Sequence, residues 1–346
     1  MNLRLRTLAV TAVCVAATSV APAPASAHAV TKADAAAGWL ARQLVDGTHF
    51  EVDFGGQKFP DQGLTIDGIL AFASAGVANT SGGNALNWLA QPGILSGYIG
   101  DGTTESYAGA TAKAALAAEV RGADPASFGG VDLPSRLRAL ATPSGRFSDH
   151  SQFGDYSNAF SQSLAIIALK RTPGGVPAAA VDFAAGTQCA DGGFPLSFGA
   201  PTCVSDTDST AMVTQALLAT GRVAKAQQGL TWLIGKQQAN GGISYGTGDP
   251  ATAPNTNTTG LAGQAFKAGG RLAAAVKARN FIVSVQVGCA GPIPDRGAIA
   301  YDASGFNPAN AVRATAQAVL GTGTGSGFAT LTSAGSASAA PSLTCP

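Results

Sequence analysis

One pattern returns six times along this 346-residue chain and decides what it can fold into. A large apolar residue stands at Trp39, Trp88, Leu137, Phe183, Trp232 and Phe281, at successive spacings of 49, 49, 46, 49 and 49 residues. A Gln follows five positions later at Gln188, Gln237 and Gln286, and slightly closer at Gln43 and Gln91. Downstream, an Asp or Asn stands seven residues before a Gln in the pairs Asp155/Gln162, Asp208/Gln215, Asn257/Gln264 and Asn310/Gln317. A period of this length marks one supersecondary unit stacked many times.

The unit reads as a helical hairpin, written most clearly from Phe183 to Gly221. Its first helix ends at the Gly192-Gly193 pair. Its second begins among Asp206, Asp208 and Ser209, all candidate N-caps, and carries the apolar stripe Met212, Val213, Ala216 and Leu217 until Gly221 stops it. Six such hairpins can form an open solenoid or a closed ring. The second helices are rich in small residues (108–118, 211–219, 309–318), which lets them approach closely around a narrow axis. The expected fold is therefore all-α, an (α/α)6 toroid of six hairpins with a period of about 49 residues.

The segments Gln188-x-x-Asp191-Gly192-Gly193-Phe194 and Gln237-Gln238-Ala239-Asn240-Gly241-Gly242-Ile243 resemble the repeat of the terpene cyclase and protein prenyltransferase superfamily. They are similar to the Gln-to-aromatic motif of squalene cyclases, with Phe194 or Ile243 where that motif ends in Trp. The resemblance covers nearly the whole chain after its first residues and implies the toroid. For function it implies several classes, since the superfamily also includes cobalamin carriers and complement-type thioester domains.

The N-terminus has the form of a secretion signal. Arg4 and Arg6 precede an apolar run from Leu8 to Val20, and Ala25-Ser26-Ala27 offers a small-residue cleavage site. The run is short of the ~20 residues a membrane span needs. The expected organisation is a signal at 1–27, the helical domain at 28–322 and a Gly/Ser/Ala-rich tail at 323–346, in a secreted protein with no stable membrane insertion. Four cysteines remain beyond Cys14, an even number that suggests two disulfides in an exported chain. Cys189 and Cys203 bracket one loop and Cys289 lies in the matching loop of the last repeat, so the expected pairs are Cys189–Cys203 and Cys289–Cys345. The first closes a loop of ~15 residues, worth up to ~3 kcal/mol in the chain-entropy treatment. The second would pin a tail that otherwise reads as disordered.

Charged residues make up only 12% of the chain, the net charge is +1, and no basic run or stripe occurs, which argues against a nucleic-acid partner. The charges are nevertheless sorted. The segments joining each first helix to its second hold 15 of the 20 acidic residues, but only Lys58, Arg146 and Arg296 among the basic ones. The opposite connections carry Arg121, Arg136, Lys170, Arg171, Arg222, Lys225, Arg271, Lys277 and Arg279. Two readings fit. Asp caps helix N-termini while Lys and Arg follow C-termini; or one rim of the ring is an acidic, aromatic-bearing mouth over a central cavity.

Asp206-Thr207-Asp208-Ser209-Thr210-Ala211 is the sharpest chemical candidate. It resembles the Asp-x-Asp-Asp-Thr-Ala acid motif of squalene and diterpene cyclases. That resemblance implies a catalytic role for Asp208, which matches the proton-donating middle Asp, with Asp206 beside it. Ser209 stands where the motif has its second adjacent Asp, and Asn257 and Asn310 take the corresponding positions in later repeats, so the alternative for Asp208 is a helix cap. Zinc chemistry of the prenyltransferase kind needs converging Asp, Cys and His ligands. The chain has only His28, His49 and His150, and its cysteines look paired, so no metal ligands are assigned. The lack of a Cys-Gly-Glu-Gln segment disfavours a thioester domain. Tyr107, Tyr156, Phe160, Phe194, Tyr245 and Tyr301 are the candidate ligand-binding aromatics. A divalent cation such as calcium is a conceivable guest among Asp206, Asp208, Asp249 and Asp302, whose hard oxygens suit it. Paired carboxylates on the acidic rim, with aromatics stacking on sugars, would suit a glycan. The first functional expectation is a non-catalytic domain binding a small or extended apolar ligand. The second is an enzyme, either terpene-cyclase-like through Asp208 or glycan-active.

Overall fold

The computed structural model describes residues 29–323 and 327–345. The expected export signal at 1–27 and Cys14 lie outside the described residues, as do residues 28, 324–326 and 346.

Each of the six apolar anchors sits on a helix of its own: α1 (Lys32–Arg42), α3 (Asn79–Leu89), α6 (Leu133–Ala139), α8 (Ala178–Gly186), α10 (Val223–Lys236) and α12 (Leu272–Ser284). Each is followed by a second helix: α2 (Gln62–Ala75), α5 (Ala108–Val120), α7 (Ala159–Arg171), α9 (Thr207–Ala219), α11 (Thr256–Ala268) and α13 (Pro308–Thr322). Burial separates the two sets. In α7, ten of thirteen residues are buried, on every side of the helix. In α10, four of fourteen are buried, and Ala226, Gly229, Leu230 and Leu233 fall on one stripe. The second helices form the inner layer and the first helices lean on them from outside. Inner helices touch in the order α2, α5, α7, α9, α11, α13, and α13 returns to α2, while α1 packs against both α13 and α2.

Small residues set the inner spacing, as the composition suggested. A Cβ on Gly260 of α11 would lie 2.7 Å from the Gln317 carbonyl of α13, and one on Gly321 would lie 2.8 Å from the Gly260 Cα. Both contacts are below what carbon atoms tolerate, so only glycine lets these two helices cross here.

The inner helices start on side-chain caps. Asp61, Asn158, Asp206, Asn255 and Asn307 each accept a hydrogen bond from a backbone N–H of the first turn. The exception is α5, whose Tyr107 gives no side-chain cap. Asp149, from the next repeat, accepts from Ala108 N at 2.8 Å instead, so one hairpin caps its neighbour.

The recurrent Gln residues join each hairpin to the next. Gln188 Nε2 donates to the carbonyls of Gly192 and Lys225, Gln237 Nε2 to those of Gly241 and Ala274, and Gln286 Nε2 to those of Gly297 and Lys32. The last of these ties the sixth hairpin to the first. In the third repeat Gln162, from the inner helix, does the same work toward Gly145 and Ala180. Arg136 does it in the second, through the carbonyls of Ile99 and Glu105. Gln43 and Gln91 do not share the role. Gln43 turns back to its own helix at Trp39, and Gln91 precedes an added helix, α4 (Pro92–Ile99).

The first two repeats also depart from a plain hairpin. A β-hairpin, β1 (Glu51–Phe54) and β2 (Gln57–Pro60), is inserted between α1 and α2. Its turn is Gly55-Gly56 with φ of 64° and 86°, the pair of positive angles a two-residue hairpin requires. Two-residue strands β3 (Phe194–Pro195) and β4 (Ser205–Asp206) close the loop before α9.

Both disulfides form as paired in the sequence reading, with Cα separations of 5.5 Å for Cys189–Cys203 and 5.7 Å for Cys289–Cys345. The tail does not dangle from its disulfide. Leaving α13, it passes under the inner layer, where Arg171 donates to the carbonyls of Phe328, Ala329 and Leu331. It then runs outward along Val120, Gly76, Ala78 and Asn79 to Pro341, packed on Gly38 of α1. Among the described residues no helix is long and apolar enough to cross a membrane.

Two measurements check this architecture. Gln286→Ala strands the carbonyls of Lys32 and Gly297, and a thermal or urea melt should show a loss of about 1–3 kcal/mol. Gln43→Ala, which bridges nothing, should stay within about 0.5 kcal/mol. Glu119 pairs with Arg171 at 3.2 Å, yet burial outweighs that partner and pushes the carboxyl up to about 8. A raised carboxyl pKa stabilises the fold below the ordinary value of 4.5, and this contribution is lost as pH rises through about 8. Glu119→Gln should therefore flatten the fall in stability between pH 4.5 and 8 seen with the parent chain.

Candidate functional site

The inner helices are held in register by a recurring lock. The backbone N–H of Phe50, Phe194, Ile243 and Ile299 donates to the hydroxyl of Thr65, Thr210, Thr259 and Thr315 at 3.0, 2.8, 2.9 and 2.8 Å. In the third repeat Phe147 N donates to Gln162 Oε1 at 2.9 Å. The loop residue in each lock is buried almost completely. Each of these five inner helices therefore enters at a fixed height and rotation; the residue two after the lock faces the centre on all five, and the residue two before it on α7, α9 and α11.

There they line a cavity of about 430 Å³ reached by all six inner helices. The upper layer holds Gly109, Phe160, Asp208 and Asn257. One turn lower come Asp67, Lys113, Leu164, Met212, Leu261 and Gln317, one from each inner helix. Below them lie Leu70, Leu320 and Phe328 of the tail. Tyr98 reaches in from α4.

The middle layer is two-sided. Leu164, Met212 and Leu261 make an apolar arc on α7, α9 and α11. Opposite, Lys113 Nζ lies 2.5 Å from Asp67 Oδ1 and donates to the Gly63 carbonyl at 2.9 Å, while Gln317 Nε2 donates to Asp67 Oδ2 at 3.1 Å. Burial works against the Lys113 ammonium, but Asp67 and the Tyr98 phenol beside it prevail and its pKa rises. Burial also raises Tyr98. The polar side is thus a closed charge pair that satisfies itself, and the remaining wall is hydrocarbon.

Asp208 is not the helix cap. Asp206 is, accepting from Ser209 N at 2.7 Å, and Asp208 follows in the first turn of α9, turned to the cavity. The later caps are Asn255 and Asn307, so Asn257 matches Asp208 in register and Asn310 sits inside α13. Burial pushes the Asp208 carboxyl up to about 6; a hydrogen bond from Thr258 opposes the rise and the Asp206 charge adds to it. Tyr301 is raised as well, by burial first and then by the charges of Asp208, Asp302 and Tyr245, which places these groups together at the rim. Asn257 Oδ1 is buried and has no hydrogen-bond partner, a free acceptor beside Asp208.

The six candidate aromatics divide. Phe160 lines the cavity and Tyr301 stands at its rim. Phe194 is 0% exposed and belongs to the core, locked to Thr210. Tyr107 precedes α5 and donates to Glu105, and Tyr156 and Tyr245 are exposed above the cavity without lining it. Many rim carboxylates are engaged in loop structure. Asp101 accepts from the backbone of Thr103, Thr104 and Glu105, Asp149 from Ala108 and Tyr156, Asp191 from Gly193, Ser205 and Trp232. Asp61 and Asp155 pair with Arg313 and Arg146. Asp67 is not a loop residue at all but sits inside α2. The capping explanation of the charge sorting therefore accounts for these groups. Among the described residues no three His, Cys, Asp or Glu side chains are placed to hold a metal ion.

Sequence reasoning missed Lys113, Asp67 and Phe328 as cavity residues. Lys113 is one of two charged residues, with Glu119, in an otherwise Ala-rich helix, a signal that a buried partner was needed. Phe328 and Leu331 are the large apolar residues in a stretch of small ones, a signal that this stretch docks.

No protein-family model matches the chain, and no curated protein matches it. Solved structures do. The type II terpene cyclase MstE from Scytonema, in complex with geranylgeranyl dihydroxybenzoate as substrate, superposes with a TM-score of 0.61 at 14% identity, over 84% of this chain and 95% of that one. The same enzyme with its product merosterolic acid A gives 0.58 at 15% identity, over 84% and 95%. A protein from Actinoplanes gives 0.60 at 15% identity, over 84% and 98%. These likenesses show a helical fold of the terpenoid-cyclase type.

The placement of Asp208 gives a stability test. Its raised pKa stabilises the fold below the usual 3.8 and that contribution disappears as pH rises through about 6. Asp208→Asn should remove this slope and, at pH 7, stabilise the protein by up to about 3 kcal/mol. A loss of stability in urea melts at pH 7 would instead make Asp208 a structural charge.

Proposed function

We propose that this chain is an exported (α/α)6 toroid that binds a small apolar molecule in its central cavity, without transforming it. One observation carries the reading. One side of the cavity is a hydrocarbon arc of Leu164, Met212 and Leu261 with Phe160 above and Phe328 below, while Lys113 and Asp67 opposite are already paired to each other. Such a wall favours apolar surface by roughly 25 cal/mol per Å² buried. The unpartnered Asn257 Oδ1 and the Asp208 carboxyl at the upper layer suit a ligand that ends in a donor such as a hydroxyl. The neighbouring fold of MstE holds a geranylgeranyl compound, which supports an isoprenoid-like body. Export is supported by the signal-like N-terminus and by two disulfides, which persist in oxidising compartments.

A second reading rests on Asp208 facing the cavity with a raised pKa. As a general acid it would protonate a terminal alkene carbon, leaving a tertiary cation that another double bond attacks, and a proton lost at the end would make the product an isomer of the substrate. A pKa near 6 leaves the acid mostly ionised at neutral pH, and Ser209 gives no second carboxyl beside it. Both features favour binding.

Native mass spectrometry and equilibrium dialysis with geraniol, farnesol and geranylgeraniol decide between them. One-to-one binding with every alcohol recovered unchanged is the expected outcome. Saturable binding that is absent from all three would remove the binding reading. Recovery of a cyclic isomer, lost in Asp208→Asn, would establish the cyclase.

A further inference from the structure

We propose that Phe328, carried on the C-terminal tail rather than on any helical repeat, is the floor of the central cavity and sets how long an apolar ligand the protein accepts. This deepens the proposed binding function and rests on it.

The tail supplies the lowest residue of the cavity wall. Phe328 is 5% exposed, and its ring lies in the cluster that includes Leu320 and Leu331. Six inner helices surround the cavity, but none of them crosses beneath it; closure there comes from the tail. The closure is held at fixed height by polar contacts. Phe328 N donates to Gln215 Oε1 at 3.2 Å, and Arg171 Nη1 donates to the Phe328 carbonyl at 2.9 Å. Arg171 also holds the carbonyls of Ala329 and Leu331, and Ser333 N donates to the Val120 carbonyl at 2.8 Å. Backbone pinned on both sides of one residue fixes where its ring can go.

The direction of the ligand follows. Polar groups lie at the opposite end, where Asp208 and the unpartnered Asn257 Oδ1 face the upper layer. A molecule with one hydroxyl end and an apolar chain therefore enters head outward, with its chain end against the Phe328 ring. Chain length is then limited by the distance from the Asp208 layer to that ring. Gln215 Nε2 and both polar atoms of Gln264 are buried without hydrogen-bond partners, but neither residue lines the cavity, so Phe328 remains its apolar stop.

The test is the length preference of the intact, disulfide-bonded protein for geraniol, farnesol and geranylgeraniol, measured by equilibrium dialysis. Phe328→Ala should move the preference toward the longer alcohols, changing the affinity ratio of longest to shortest by about tenfold or more, about the effect of 1.4 kcal/mol. Phe328→Leu should move it part of the way, and Phe328→Trp should move it toward the shorter ones. Melting curves of each variant verify folding, and the Leu and Trp variants keep the test alive should the Ala variant unfold. Identical ratios in the parent chain and in folded variants overturn the role of Phe328 while leaving binding intact. Failure of the parent chain to bind any of the three overturns the binding reading, and this inference with it.

Discussion

A chain built of weakly similar hairpins needs something that makes each one sit at the same height and angle as the last. Here that constraint is a pair of side-chain-to-backbone hydrogen bonds repeated along the chain. A Thr hydroxyl, or Gln162 in one repeat, receives the N–H of a buried loop residue and fixes the inner helix against its own loop. A Gln amide bridges that loop to the first turn of the next outer helix. Both bonds are to backbone, so they tolerate drift in the packing residues around them. The locks are shielded from water, where a lost partner costs most, while the Gln bridges lie nearer the surface. The cavity depends on them, because Asp67, Leu164, Met212, Leu261 and Gln317, each two residues after its lock, face the centre only while the register holds.

The inner layer pays little attention to residue identity elsewhere. Alanine and glycine dominate it, and the small side chains allow the helices to close around a narrow axis. The few large or polar residues that face inward then define the site almost by themselves. Asp67 and Lys113 neutralise each other across α2 and α5, with Gln317 completing the set, so a buried charge pair is tolerated in a wall that is otherwise apolar. Asp208 has no such cation, which is why burial raises its pKa.

The tail shows how a ring can be finished from outside its repeats. A channel between stacked hairpins has two ends, and the loops that carry the Asp caps leave the upper one open to ligand. The lower one is met by 327–331, clamped by Arg171 and carried on to the rim, where Cys345 bonds Cys289. The second disulfide therefore stabilises more than a loose end. It belongs to a strap that spans from the cavity floor to α1.

The sequence by itself determined the repeat, the number of hairpins, the division into outer and inner helices and both cysteine pairings. These follow from spacing and periodicity, which are local properties that survive in a single chain. It also singled out Asp208, through its resemblance to the cyclase acid motif, and Phe160 among the candidate aromatics. What it did not determine was which member of Asp206 and Asp208 caps the helix, because two residues of the same type stand two positions apart and only the rotation of α9 separates cap from wall. Nor could it assign Phe194 to the core or Tyr156 and Tyr245 to the exposed rim, since an aromatic in a loop looks the same on paper wherever its ring points. The partnership of Asp67 with Lys113, and the docking of Phe328 onto Arg171 and Gln215, 157 and 113 residues earlier, were decided by tertiary structure alone. Both join distant segments through a shared interior, and no local pattern records a contact that exists only once the ring has closed.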